Sequence, residues 1–168
     1  IIALSALLSL GCKVSASDDQ TVKNYDLNNP EKFFMPESLL EISGISFYKG
    51  KADTVYAVQD EQGRLFRLAP GVKKQVSAKF GKQGDYEDVA IVNEKVVILK
   101  SNGSLVIFPI ADAIYEEVDS AKEWKSLLPE GEYEGMYGDE PSQSIFVICK
   151  NCADDNAKNS VSDIFIIS

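Results

Sequence analysis

Three short segments of the chain resemble one another at a near-constant spacing, and that repetition limits the available folds more than any other feature. They are Leu40-Glu41-Ile42-Ser43-Gly44-Ile45, Asp85-Tyr86-Glu87-Asp88-Val89 and Glu132-Tyr133-Glu134-Gly135-Met136. With Ser43-Gly44, Glu87-Asp88 and Glu134-Gly135 aligned, the copies lie 44 and 47 residues apart, from Gly44 to Asp88 to Gly135. Each is followed by a run of strand composition (TVYAVQ, KVVILK, SIFVIC), a turn, and a second such run (RLFRLA, SLVIFP, DIFIIS). A period of about 40–50 residues built from short strands is the signature of a β-propeller, whose blades are four-stranded sheets around a channel. A β-sandwich uses the same elements but does not normally repeat one strand-start motif at this spacing.

The rest of the chain predicts the same all-β class. Nine runs (GISFY, TVYAVQ, RLFRLA, QVSAKF, DVAIV, VVILK, SLVIF, SIFVIC and DIFIIS) are rich in Val, Ile, Phe or Tyr and bounded by Gly, Asp, Asn or Lys, the pattern of short strands. Asp60-Glu61-Gln62-Gly63 and Lys100-Ser101-Asn102-Gly103 occupy matching places between strands, and each ends in a glycine that tolerates positive φ. Helical spacing is confined to residues 110–128, expected to hold a short helix or a loop insertion.

The first eleven residues, IIALSALLSLG, contain eight apolar residues and no charge. That is shorter than the roughly 20 apolar residues needed to cross a bilayer, and it is expected to be the remnant of a signal peptide. Cys12 follows Ser9-Leu10-Gly11, which resembles the lipobox of bacterial lipoproteins, although Ser9 stands where Leu is usual. Residues 12–23 are then a polar tether hung from a lipidated Cys12, which anchors the protein to a membrane of the bacterial cell envelope. An ordinary signal peptide or a buried apolar strand are the alternatives. Asp18-Asp19 also resembles the acidic export signal of surface lipoproteins.

The 168 residues carry 17 Lys and Arg against 26 Asp and Glu, a formal charge of −9, with no histidine. Phosphate-tracking surfaces need clustered basic residues, so nucleic acid is not an expected partner. Without histidine, this stretch of chain supports neither a Ser-His-Asp triad nor an HExxH zinc helix. Motifs for phosphate cradling and for a nucleophile elbow are absent as well.

Candidate chemistry therefore rests on carboxylates. The first strand of each propeller blade faces the channel, so Glu87 and Glu134 are expected at equivalent places near its mouth, with Glu41 and Glu132 close by. Converging acids of this kind can bind Ca²⁺ through oxygen ligands or act as an acid and base pair; they can equally cap strand ends or face water. Asp60, Lys100 and Lys150 align at the ends of the second strands, where they can meet a polar ligand or solvent. Tyr86, Tyr133 and Tyr137 offer a stacking rim for a ligand or, alternatively, core. Cys149 and Cys152 form a Cys-Lys-Asn-Cys run on a strand, which suits a small disulfide loop or free thiols. A redox role would need a helix N-terminus to stabilise a thiolate.

The motifs EISGI (41–45), VQDEQG (58–63) and KFGKQGDYEDVA (79–90), with Tyr25-Asp26-Leu27 and Pro30-Glu31-Lys32-Phe33 before them, resemble the SdiA-regulated family of bacterial envelope proteins. The resemblance runs from Tyr25 to the C-terminus, with Asp88 standing where the second motif usually has Gly. It implies a propeller of about six blades, related to phytase-like and NHL-type propellers. Six blades of this period need about 270 residues, whereas 157 remain after removal of residues 1–11. Residues 24–168 are accordingly expected to form about three blades, as a fragment clipped at both ends, with residues 24–35 as a propeller-closing strand. Two functions fit the resemblance: a non-enzymatic binding scaffold with Ca²⁺ at the channel mouth and an unknown small-molecule or protein ligand, or a phytase-like calcium-dependent phosphoesterase. The lysines are scattered rather than grouped for phosphate, which favours the scaffold.

Overall fold

The computed structural model describes residues 25–26 and 28–153 and the backbone of residues 164–167. The expected signal remnant, Cys12 and the tether lie outside these residues. The described chain is all-β: eleven strands and three short 3-10 turns, with no α-helix among the described residues. The strands are β1 (Ile42–Phe47), β2 (Val55–Gln59), β3 (Arg64–Leu68), β4 (Val76–Lys79), β5 (Tyr86–Val92), β6 (Lys95–Lys100), β7 (Leu105–Pro109), β8 (Lys122–Trp124), β9 (Gly131–Asp139), β10 (Ser144–Cys152) and β11 (Ile164–Ile167). They form three antiparallel sheets in strict chain order, β1-β2-β3-β4, β5-β6-β7-β8 and β9-β10-β11. All nine expected runs form strands. Residues 110–128 divide into a 3-10 turn at Ile110–Ile114 and the exposed strand β8. The described part of residues 24–35 forms no strand, only a turn in which the Asn28 N–H donates to Asp26 Oδ1 at 3.1 Å.

The repeated motif has a structural counterpart in three matching β-bulges. Ile42 pairs with Gln59 and Gly44 with Val58, leaving Ser43 as the extra residue of β1. Tyr86 pairs with Lys100 and Asp88 with Leu99, leaving Glu87; Tyr133 pairs with Cys149 and Gly135 with Ile148, leaving Glu134. One unpaired residue per strand increases the local twist and re-aims the side chains around it. The three bulges fall on the three aligned positions, and β5 lies against both β1 and β9. Small residues permit that approach: a Cβ on Gly44 would stand 2.7 Å from Asp88 Cα.

These pairings correct the alignment of the second strands. Gln59, Lys100 and Cys149 are equivalent, and Asp60 corresponds to Ser101 and Lys150 rather than to Lys100. The first turn simply carries one residue more, 60–62 against 101–102, before Gly63 and Gly103. The two glycines also differ in role. Gly103 has φ 76° and needs the left-handed region. Gly63 is a close-approach glycine instead, because a Cβ there would stand 2.5 Å from the Gly81 carbonyl carbon, and its own carbonyl accepts the N–H groups of Phe80 and Gly81.

Alternation along the strands builds two inter-sheet layers. Val58, Leu65 and Ala78 of the first sheet pack with Val89, Ile91, Val96, Ile98, Val106 and Phe108 of the second. The opposite face of the second sheet, with Ala90, Val92, Val97, Leu99 and Leu105, packs with Tyr133, Ile145, Val147 and Cys149 of the third. Full burial of side chains such as Leu99 or Ile98 stabilises by about 1.5–3 kcal/mol each. A smaller cluster of Leu39, Ala57, Phe66 and Leu68 covers the outer face of the first sheet.

Candidate binding face at the bulged strand ends

The bulges carry acidic side chains to one end of the sheets. Glu87, unpaired in the ladder of β5, stands beside Asp85, with Glu134 of β9 and Asp60 at the end of β2 within electrostatic reach. Partial burial, and then the neighbouring Asp85 carboxylate, push the Glu87 carboxyl up to about 7. The Asp85 side chain beside Glu87 and the more distant Glu134 and Asp60 carboxylates all act in the same direction. Asp85 also accepts the Ser101 hydroxyl. One Asp60 carboxylate oxygen is buried with no hydrogen-bond partner.

The lysines are countered locally. Lys100 Nζ lies 2.9 Å from Glu123 Oε1 and 5.7 Å above the Tyr86 ring. The bond from Lys100 holds the Glu123 carboxyl below the usual carboxylate range. Lys150 is paired with Glu134, whose carboxylate raises the lysine. Glu41 is exposed, and its Oε2 accepts from Gln59 Nε2 at 3.5 Å. Among the described residues no group of three or more acids, thiols or imidazoles is gathered as a metal site, so Glu41, Glu87 and Glu134 do not form a calcium cage as they stand.

Tyr86 and Tyr133 are core residues, not a stacking rim. Both rings are fully buried, and both hydroxyls donate to a carbonyl four residues earlier, Lys82 at 2.8 Å and Pro129 at 2.9 Å. Their backbone N–H groups donate to Asp60 and Ser101 carbonyls, the equivalent positions just past β2 and β6. Each tyrosine thus ties the start of one sheet to the turn of the sheet before it. Tyr137 is exposed. Cys149 and Cys152 form a disulfide across the second irregularity of β10, where the register skips from Cys149 to Asn151.

Asp88, set aside in the sequence as a departure from Gly, is a linking residue. Its Oδ1 accepts the Val89 N–H at 2.8 Å and its Oδ2 the Met136 N–H at 2.7 Å. Burial pushes its carboxyl up, while those two amide bonds oppose the shift. A second feature missed in the sequence is a groove of about 570 Å³ beyond the bulges, lined by all three first strands, including Ile45, Phe47, Ile91, Met136 and Tyr137. Its lining follows from the strand pattern only once the bulge has reset the alternation.

No protein-family description matches the chain, and no curated protein or solved structure matches it either.

Proposed function

We propose that the chain is a β-propeller-type binding scaffold of the bacterial envelope, held to a membrane through Cys12, with the acidic rim around Glu87 as its ligand-facing surface. The observation that carries this reading is the placement of one bulge per sheet at Ser43, Glu87 and Glu134, with β5 lying against β1 and β9. Sheets laid side by side by their first strands are the arrangement of propeller blades, and the resemblance to the SdiA-regulated family points the same way. The anchor reading rests on the uncharged apolar run before Cys12.

The ligand of this reading is a cationic group on a small molecule or on a protein segment. Asp60, Asp85 and Glu87 outnumber the cations beside them, and Lys150 is already engaged by Glu134. These carboxylates are spread along the rim, and among the described residues no group of three or more is gathered tightly enough to hold a metal ion, which favours an organic cation over a calcium cage. A phosphate ester is disfavoured, because Lys100 and Lys150 are each neutralised by a carboxylate.

Calorimetry with an oligolysine probe tests the rim. Binding should weaken with salt and weaken several-fold in Glu87→Gln and in Asp60→Asn; equal affinity in both variants and in the parent would exclude this face. Labelled palmitate incorporation and membrane fractionation test the anchor, with Cys12→Ser expected to abolish both.

A further inference from the structure

Where the first two sheets have one bulge each, the third has two, and the second lies between the bridged cysteines. Cys149 pairs with Tyr133 and Asn151 with Glu132, so Lys150 is left out of β10, and its ammonium is paired with Glu134, the residue left out of β9. The Cys149–Cys152 disulfide requires that second bulge. Three residues of extended strand span about 10 Å, whereas the bridged Cα atoms stand 5.9 Å apart, a shortening that β10 achieves by expelling Lys150 from the ladder. Lys150 occupies the position of Asp60 and Ser101 in the other sheets, so the bridge sets a cation into the acidic rim. Glu134 acts on this lysine most strongly, and Glu132 and Glu87 add to the effect. The two sulfurs differ in access. Cys149 is fully buried in the layer between the second and third sheets, whereas Cys152 is only half-buried and lines a cavity of about 490 Å³ with Glu130, Glu132 and Asn151.

We infer that Cys149–Cys152 is a thiol-exchange site that regulates the acidic rim by moving Lys150 from Glu134 to Glu132. The co-reactant is a dithiol. One of its sulfurs, as thiolate, attacks Cys152 Sγ; the bond between the two cysteines breaks, and its electron pair goes to Cys149 Sγ, which takes up the proton that the attacking thiol released. The second thiolate of the dithiol then displaces Cys152, which is protonated in turn, so the chain ends with two thiols and the dithiol is oxidised to a disulfide. The chain supplies the electrophile, and no helix N-terminus is needed to stabilise a thiolate of its own. Without the bridge, β10 continues past Cys149 in the register of the Cys149–Tyr133 pair, which sets Lys150 directly opposite Glu132 as a cross-strand pair of opposite charge. Glu134 then loses its cation and joins Asp60, Asp85 and Glu87 on the rim. The inference rests on the cation-binding reading above and adds its control, weaker binding in the oxidised chain and tighter binding in the reduced one.

In a Cys12→Ser background, Cys149 and Cys152 are the remaining cysteines of the three. Dithiothreitol, applied well below the melting temperature, should open both to a maleimide label while circular dichroism shows the fold retained. Oligolysine should then bind about two- to fivefold more tightly by calorimetry, the range set by an exposed ion pair. Lys150→Gln should bind at least as tightly as the reduced parent and should not respond to reduction. A second measurement needs neither a ligand nor a variant at these positions. A carbodiimide joins touching lysine and carboxylate side chains without a spacer, and mass spectrometry should map its link from Lys150 to Glu134 in the oxidised chain and to Glu132 in the reduced one. A disulfide that the dithiol reaches only on unfolding, a Lys150–Glu134 link that persists after reduction, unchanged oligolysine affinity in the reduced parent, or an equal response in Lys150→Gln overturns the inference. The rim reading fails separately: a link that switches while neither redox state binds oligolysine supports the exchange site and removes the cation-binding surface it would regulate.

Discussion

The Asp88 carboxylate joins two sheets, accepting the Met136 N–H of β9 at 2.7 Å through one oxygen and the Val89 N–H of its own strand at 2.8 Å through the other. Removal of the carboxylate leaves two amides at a half-buried junction without their acceptor, at about 1–3 kcal/mol for an unsatisfied buried group.

Asp88→Ala is therefore expected to lower the melting temperature by about 3–10 °C, at roughly 2–4 °C per kcal/mol for a chain of this size. Asp88→Asn keeps an acceptor and should lose less than half as much. Thermal unfolding followed by circular dichroism reads both.

Tyr86 and Tyr133 make the same bond in successive sheets, hydroxyl to the carbonyl four residues back. Tyr86→Phe and Tyr133→Phe should each cost about 1 kcal/mol and, being at separate sites, their effects should add. Oligolysine affinity should be unchanged in both, since neither ring reaches the surface; a selective loss of affinity would return them to the binding rim.

Glu87 gives the stability a pH dependence of defined sign. Its carboxyl is raised from an ordinary value of 4.5 to about 7 in the folded chain, so between those values the folded state holds a proton that the unfolded state has released. The contribution of this group to stability is full below about pH 4.5 and is lost as pH rises through about 7. After a discount for solvent screening at a half-exposed site, the loss is about 1 kcal/mol. Chemical denaturation at pH 5 and pH 8 should show that difference in the parent, and Glu87→Gln should abolish most of it.

The Cys149–Cys152 disulfide closes a loop of four residues, for which chain-entropy arithmetic gives about 2 kcal/mol. Reduction should lower the melting temperature by several degrees. Cys152→Ser under oxidising conditions should match the reduced parent, which denaturation with and without a reductant will check.

Much of the fold was legible in the sequence because two kinds of signal coincide: β-branched runs such as VVILK mark strands, and the 44- and 47-residue repeats order them. The two strands outside the nine runs, β8 and β9, lack the first signal, and β9 was marked only by its repeated motif. β8 is three exposed residues, Lys-Glu-Trp, formed because Leu105, Val106 and Ile107 supply a paired edge. β9 reads GEYEGMYGD, poor in branched residues, and is held by pairing with β10 along its length. The bulges were visible only as a motif, because a sequence shows that Ser43, Glu87 and Glu134 align but not that each is left out of its ladder. The candidate site was half legible for the same reason. Charges at the strand starts could be read directly, whereas the burial of Tyr86 and Tyr133 depends on which neighbouring sheet covers them, and the one-residue difference in turn length put Lys100 at the wrong position.

The links from first to second strand measure seven, two and four residues in the three sheets, 48–54, 93–94 and 140–143, while the bulge keeps one position throughout. Loss or gain of a residue in those links changes a loop; the same change between a bulge and the paired strand after it would turn every later side chain to the wrong face. The fold thus has a tolerant rim and an intolerant one. Length variation, inserted peptides and reporter tags belong at the tolerant rim, where Asn93-Glu94 already shows how little chain suffices to make the connection.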